Sequence, residues 1–299
     1  MIRQPRQYFL ILSMVIAILL LLAPIVLFAQ SMVIELITET DLTFNGVETD
    51  DRFGTGLAIG DVDGDGKSDL IVGAYVADSP SGANSGKVFV FSGPLDSESI
   101  STTAPSITLE GATGGGGAGF DVATGYINDD EQLDLAIGVI GDGPGKVYLF
   151  LNPLVRPTSG VIQLPDQVDV TLVGVDSGEF FGRGVAIADM DNDGDQDIII
   201  GASRARPNGI SQAGRVYVVD GPIQESGTYQ VTLSNVIVEG TEEFGLLGRV
   251  GAGDVDNDGD ADLIVGAVNR HEAYVFLGPM ETETSIIPAS ANILIDGAE

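Results

Sequence analysis

Three stretches of the chain set aspartates at alternate positions around a glycine: DVDGDGKSD from Asp61, DMDNDGDQD from Asp189 and DVDNDGDAD from Asp254. Two carboxylates ~4 Å apart repel by roughly 4 kcal/mol at an effective dielectric of about 20. A packed fold tolerates such crowding only when a cation offsets it. Positions 1, 3, 5, 7 and 9 of the first stretch supply Asp61, Asp63, Asp65, the backbone carbonyl of Lys67, and Asp69. The second supplies Asp189, Asp191, Asp193, the carbonyl of Asp195, and Asp197; the third supplies Asp254, Asp256, Asp258, the carbonyl of Asp260, and Asp262. Gly66, Gly194 and Gly259 stand at position 6, where the chain must turn sharply. Hard oxygen donors at this spacing point to Ca2+, at about three sites. Mg2+ fits less well because it gives up water reluctantly, and Zn2+ is disfavoured by a chain with no Cys and one His. An EF-hand would need Glu at position 12, where this chain has Val72, Ile200 or Val265.

These loops need elements to hold them, and the chain repeats itself in phase with them. FGTGLAIGDVDGDGKSDLIVGA from Phe53 recurs as FGRGVAIADMDNDGDQDIIIGA from Phe181 and GRVGAGDVDNDGDADLIVGA from Gly248. A weaker copy, AGFDVATGYINDDEQLDLAIGV, starts at Ala118. Asp61, Tyr126, Asp189 and Asp254 are 65, 63 and 65 residues apart. In the weak copy Tyr126 replaces the first acid and Glu131 the glycine, while Asn128, Asp130 and Asp134 remain, so this loop is expected to be empty or weak. Other segments keep the same beat: GKVFVFSGP, GKVYLFLNP, GRVYVVDGP and EAYVFLGP are one element, and LTFNG, ITLEG, VTLVG, VIVEG and ILIDG another.

Each unit reads as four short strands rich in Val, Ile, Leu and Phe, bounded by Gly, Pro, Asn and Asp. The aspartate loop joins the first strand to the second. Four-stranded antiparallel units repeated about an axis make a β-propeller, so the expected class is all-β with four blades. The small residues of FG and VGA suit close packing of one blade on the next. The repeats fall at about 47–111, 112–174, 175–240 and 241–299.

At these residues the chain resembles the FG-GAP repeat family, the repeats of the integrin α-subunit β-propeller. FG at Phe53–Gly54, Phe181–Gly182 and Phe244–Gly245, the acidic loops and the VGA or IGA ends carry the resemblance, across roughly residues 41–299. It implies a ring of seven such repeats, calcium in the hairpin loops of one face and ligands on the other. With four repeats here, the chain reads as part of a seven-bladed ring; a four-bladed ring and completion by a second chain are the alternatives. Similar propellers occur in secreted bacterial proteins and beside the catalytic domain of a glycosylphosphatidylinositol-specific phospholipase D.

Composition bounds the function. The 299 residues carry 44 acidic and 13 basic side chains, net −31, which argues against nucleic acid and anionic lipid as partners. Absent cysteine excludes disulfides and thiol catalysis. Residues 1–29 read as a signal peptide: Arg3 and Arg6, an apolar run from Tyr8 to Phe28, then Ala29 as the cleavage point. The rival is an uncleaved membrane anchor, since about 20 apolar residues span a bilayer. Residues 30–299 would be the partial propeller, secreted or held at the cell surface. The expected role is adhesion or binding of an extracellular protein or glycan, with structural calcium and no catalysis. Loops that break the repeat, YVADSPSGANSG and SRARPNGISQAG, would set specificity; Arg204 and Arg206 stand out there, though for those two residues alone a solvated loop is the favoured reading. The alternative is the non-catalytic portion of a larger secreted enzyme such as a phospholipase D-like hydrolase. His271, the single histidine, has no nucleophile motif beside it.

Overall fold

A computed structural model describes residues 44, 46, 48–95, 105–128, 130–232, 236–280 and 285–297. The N-terminal signal or anchor and most of LTFNG lie outside the described residues. Asn45–Glu299 forms one compact unit. Among the described residues no helix is long and apolar enough to cross a membrane.

The unit consists of four sheets, one for each repeat. The first contains β1 (Leu57–Gly60), β2 (Asp69–Ala74), β3 (Lys87–Phe91) and β4 (Ile107–Glu110), each antiparallel to the next. The second contains β5 (Ala118–Gly125), β6 (Asp134–Val139) and β7 (Lys146–Phe150); after the short β8 (Val161–Gln163) comes its fourth strand, β9 (Val170–Val173). The third is built from β10 (Phe181–Ala188), β11 (Asp197–Ala202) and β12 (Arg215–Val219); β13 (Gly227–Gln230) then precedes its fourth strand, β14 (Val236–Glu239). The last is β15 (Leu247–Gly253), β16 (Asp262–Ala267), β17 (Glu272–Phe276) and β18 (Ile293–Asp296). Inner strands pack in chain order, β1 on β5, β5 on β10 and β10 on β15. This is the all-β blade architecture expected from the repeats.

The position of the second strand explains why apolar runs follow the aspartate loops. It lies between two neighbouring blades, so both faces are covered and alternation disappears. Ile198 and Ile200 of β11 pack toward the second blade, among Leu149, Leu172 and Phe181. Ile199 packs the other way, among Val216, Leu263 and Val265. A third core, holding Ile71, Val88, Leu135 and Ile137, lies between the first two blades.

Glycine sets how closely the blades approach. A Cβ on Gly73 would lie 2.0 Å from the carbonyl of Gly119, one on Gly138 2.0 Å from that of Gly182, and one on Gly201 1.9 Å from that of Gly248. No side chain fits such gaps, so the VGA glycine of one blade must meet the inner-strand glycine of the next. Parallel bridges Gly86–Ala118, Gly145–Phe181 and Gly214–Leu247 continue each seam.

The sheets also carry strands that the four-strand reading did not contain. β8 leaves the second repeat and pairs in parallel with β4 of the first. β13 leaves the third repeat and pairs in parallel with β9 of the second. Ile286, between β17 and β18, bridges in parallel to Val238 of β14. Three successive repeats thus extend the outer edge of the blade before them.

Candidate metal centre

Each aspartate loop closes an inner hairpin, β1–β2, β10–β11 or β15–β16. Position 1 organises it. Asp61 accepts N–H bonds from Gly64 (2.8 Å), Asp65 (3.1 Å) and Gly66 (2.8 Å). Asp189 accepts from Asp193 (3.2 Å) and Gly194 (3.0 Å). Asp254 accepts from Asn257 (2.6 Å), Asp258 (3.2 Å) and Gly259 (3.1 Å). Two residues in each loop take left-handed backbone: Gly64, Asn192 and Asn257 at position 4, and Gly66, Gly194 and Gly259 at position 6. Glycine and asparagine tolerate that region best. The position 4 requirement was visible in the sequence as G, N and N, but only the turn gives it meaning.

Position 9 does more than the sequence indicates. Asp69, Asp197 and Asp262 are buried. One oxygen of each accepts the position 2 N–H: Val62 at 3.0 Å, Met190 at 2.9 Å and Val255 at 2.7 Å. The other accepts the N–H of the glycine that ends the third strand: Gly93 at 3.0 Å, Gly221 at 2.9 Å and Gly278 at 2.9 Å. These carboxylates tie the loop to the third strand as well as facing the acidic cluster.

Positions 1, 3 and 9 converge. One carboxylate oxygen each from Asp61, Asp63 and Asp69 lie within 4.8 Å of one another, as do those of Asp189, Asp191 and Asp197 and those of Asp254, Asp256 and Asp262. Each group could hold a divalent cation. The position 5 residues Asp65, Asp193 and Asp258 fall outside these groups and accept the position 7 N–H of Lys67, Asp195 and Asp260 at 2.9, 2.9 and 3.0 Å. Lys67 also pairs with Asp65 at 3.1 Å. Burial raises the Asp69 carboxyl above its ordinary range, and the Asp63 and Asp61 charges add to the rise. Burial likewise pushes Asp197 up to about 6, helped by Asp191 and Asp220. A cation among the carboxylates would reverse both effects. Oxygen donors alone, all hard, fit a hard divalent ion.

The second loop is built differently. Tyr126 is exposed, and its N–H goes to Gln196 Oε1 of the next repeat at 2.8 Å. Asn128 Nδ2 donates to Asp130 Oδ2 at 3.1 Å and to the Leu151 carbonyl at 3.2 Å. Asp134 keeps the position 9 role on one side, accepting from Ile127 (2.6 Å) and Asn128 (3.3 Å). Its Oδ1 is buried without a hydrogen-bond partner, and burial pushes its carboxyl up to about 6. No three-acid group forms there among the described residues.

Two other sequence-flagged regions resolve locally. Arg204 and Arg206 are both exposed, and Arg204 lies over the Phe180 ring at 4.0 Å. His271 is exposed and left-handed at the turn that opens β17.

Antiparallel blades packed glycine against glycine, each inner hairpin closed by a wholly or partly acidic loop, define a β-propeller of the aspartate-loop class. Residues 53–91 and 181–219 match the FG-GAP repeat family, and the chain carries those repeats. Its relatives are integrin alpha subunits. Integrin alpha-IIb of Mus musculus is 30% identical over 207 residues, 66% of this chain and 19% of that protein. Integrin alpha pat-2 of Caenorhabditis elegans is 29% identical over 279 residues, 83% of this chain and 21% of that protein. Integrin alpha-V of Gallus gallus is 31% identical over 248 residues, 76% of this chain and 21% of that protein. The chain spans about a fifth of the length of these relatives.

Proposed function

We propose that the chain is a calcium-stabilised extracellular binding module whose propeller engages a protein or glycan ligand and catalyses nothing itself. The supporting observation is the threefold recurrence of a position 1, 3 and 9 carboxylate group at the tip of an inner hairpin. In this reading residues 1–29 direct export and residues 30–299 form the propeller portion. The calcium is structural: Asp61, Asp63, Asp69 and their counterparts hold it, the position 5 side chains and position 7 carbonyls complete the oxygen set, and the ion locks first strand to second. Its relatives are integrin alpha subunits, which supports adhesion over catalysis.

Linkage sets the size of the effect. At about 1 mM calcium and a Kd of ~0.1 mM, each site adds roughly 1.4 kcal/mol. EDTA is therefore expected to lower the melting temperature, and Asp191→Ala to shrink that drop by about a third if three equal sites contribute. Superimposable melts with and without EDTA would sink the calcium reading.

A further inference from the structure

Five of the eleven described Lys and Arg residues are matched to acids. Lys67, Lys87, Lys146, Arg215 and Arg270 each lie within ion-pair distance of a carboxylate. Arg183, Arg204 and Arg249 make no such pair among the described residues, yet they gather together. Arg183 and Arg249 both stand over the Phe120 ring, at 5.3 and 4.8 Å, and Arg204 stands over Phe180. Tyr75 packs against the other partner in this group, Phe120, with ring centres 4.6 Å apart. Arg249 Nη1 points to the Arg183 carbonyl at 3.5 Å.

The fold explains the gathering. Phe120, Arg183 and Arg249 each follow a glycine near the start of β5, β10 and β15, so successive blades present them side by side. Arg204 follows β11, whose end pairs with the start of β10. All four residues lie at the hairpin ends remote from the aspartate loops. A strand rise of about 3.4 Å per residue puts roughly 20 Å between Arg183 and Asp189.

The cluster is electrostatically incomplete. Arg183 Nε is buried and has no hydrogen-bond partner. Burial and the like charges of Arg249 and Arg204 lower the Arg183 pKa. Asp121, which feels the Arg249 charge, accepts from the N–H groups of Val185 (3.0 Å) and Val122 (3.1 Å). Three guanidinium groups gathered over the Phe120 and Phe180 rings, without a carboxylate partner among the described residues, make a receptor for a planar anion on a short apolar stem. A chain of net charge −31 repels polyanions. It opposes a single carboxylate far less.

We propose that Arg183, Arg204 and Arg249 form a binding site for one carboxylate, presented by an acidic side chain of a protein partner on the face away from the aspartate loops. The site deepens the binding-module reading and rests on it, but it does not depend on metal.

The test uses the full chain in saturating calcium with 15N-labelled arginine. Acetyl-Gly-Asp-Gly-amide is titrated in while the Arg Nε–H resonances are followed by NMR, with the Asn peptide as control. The Asp peptide should shift the Arg183 and Arg249 signals saturably, and the Asn peptide should leave them in place. The double variant R183Q/R249Q should weaken binding at least about tenfold, as expected for lost charge-assisted bonds. R206Q, altered at a nearby exposed arginine, should bind as wild type does. No saturable shift, equal response to the Asn peptide, or unchanged binding by R183Q/R249Q would overturn the proposal. Tighter binding of a heparin-derived sulfated disaccharide than of the Asp peptide would also overturn it and assign the site to a glycan polyanion. Should the double variant fail to fold, R183K serves in its place: it keeps the charge, loses the fork, and should weaken binding. An EDTA-insensitive melt marks failure of the calcium reading; missing shifts in a protein whose melt still responds to EDTA mark failure of the carboxylate site alone.

Discussion

The second aspartate loop and its three counterparts share a hairpin but not a chemistry. In the complete loops the position 1 carboxylate gathers the N–H groups of positions 5 and 6, joined by position 4 in the first and last, and leaves oxygens turned toward those of positions 3 and 9. In the second loop Tyr126 has no such oxygen, and the Asn128 amide donates a proton to Asp130. An N–H thus offsets the acid where the other loops offer converging oxygens. Position 9 is kept in all four. Asp134 still caps the Ile127 N–H, but the third strand of that blade ends in Asn152–Pro153 where the first ends in Gly93–Pro94, and its second oxygen has no partner. The position 9 aspartate therefore ties the hairpin in all four loops, while a position 1 and 3 carboxylate pair converges on it only in the three complete ones.

The sharpest break of this comparison is Asp197→Ala. It strands the buried N–H of Met190 and the N–H of Gly221, each costing about 1–3 kcal/mol, so a loss of about 2–6 kcal/mol is expected in denaturant melts run in EDTA. Asp191→Ala, by contrast, should lower stability only when calcium is present; in EDTA it relieves repulsion on Asp197 and should not destabilise. An intermediate effect belongs to Asp134. Its folded pKa, about 6, lies above the ordinary 3.8 because burial disfavours the charge. Its protonated form is the one the fold prefers, so its contribution is full below the unfolded value and is lost as pH rises through 6. Wild-type stability should fall relative to Asp134→Asn over that window in saturating calcium, and parallel curves would refute the assignment. The smallest effect is expected of Asp130→Ala, which should leave calcium stoichiometry by titration calorimetry unchanged; loss of one ion would erase the distinction between the loops.

Much of this was legible in the chain. The repeat phase, the aspartate loops and the seam glycines all lie within short windows whose spacing carries their meaning. The parallel strands β8 and β13 were not legible, because VIQ is too short and GTYQ too exposed to show alternation, and both owe their form to the edge they join. The second role of Asp69 was hidden because its partner, Gly93, lies on another strand. The arginine cluster was hidden because it assembles from three blades; Arg204 was noticed as a loop cation, but the Phe180 ring beneath it and its companions Arg183 and Arg249 appear only once the inner strands are aligned.

The backward-reaching strands give the repeats a direction in time. Each repeat shields the edge of its predecessor, so an edge opens only after the shield that follows it has lifted. Among the described residues β18 has no such cover, and Ile293, Leu294 and Ile295 are exposed. Release of each covered strand should follow that of its cover: β14 once Ile286 lets go, β9 after β13 and β4 after β8. Amide exchange would then register a sequence of protection rather than one cooperative event, each cover losing protection before the strand it shields.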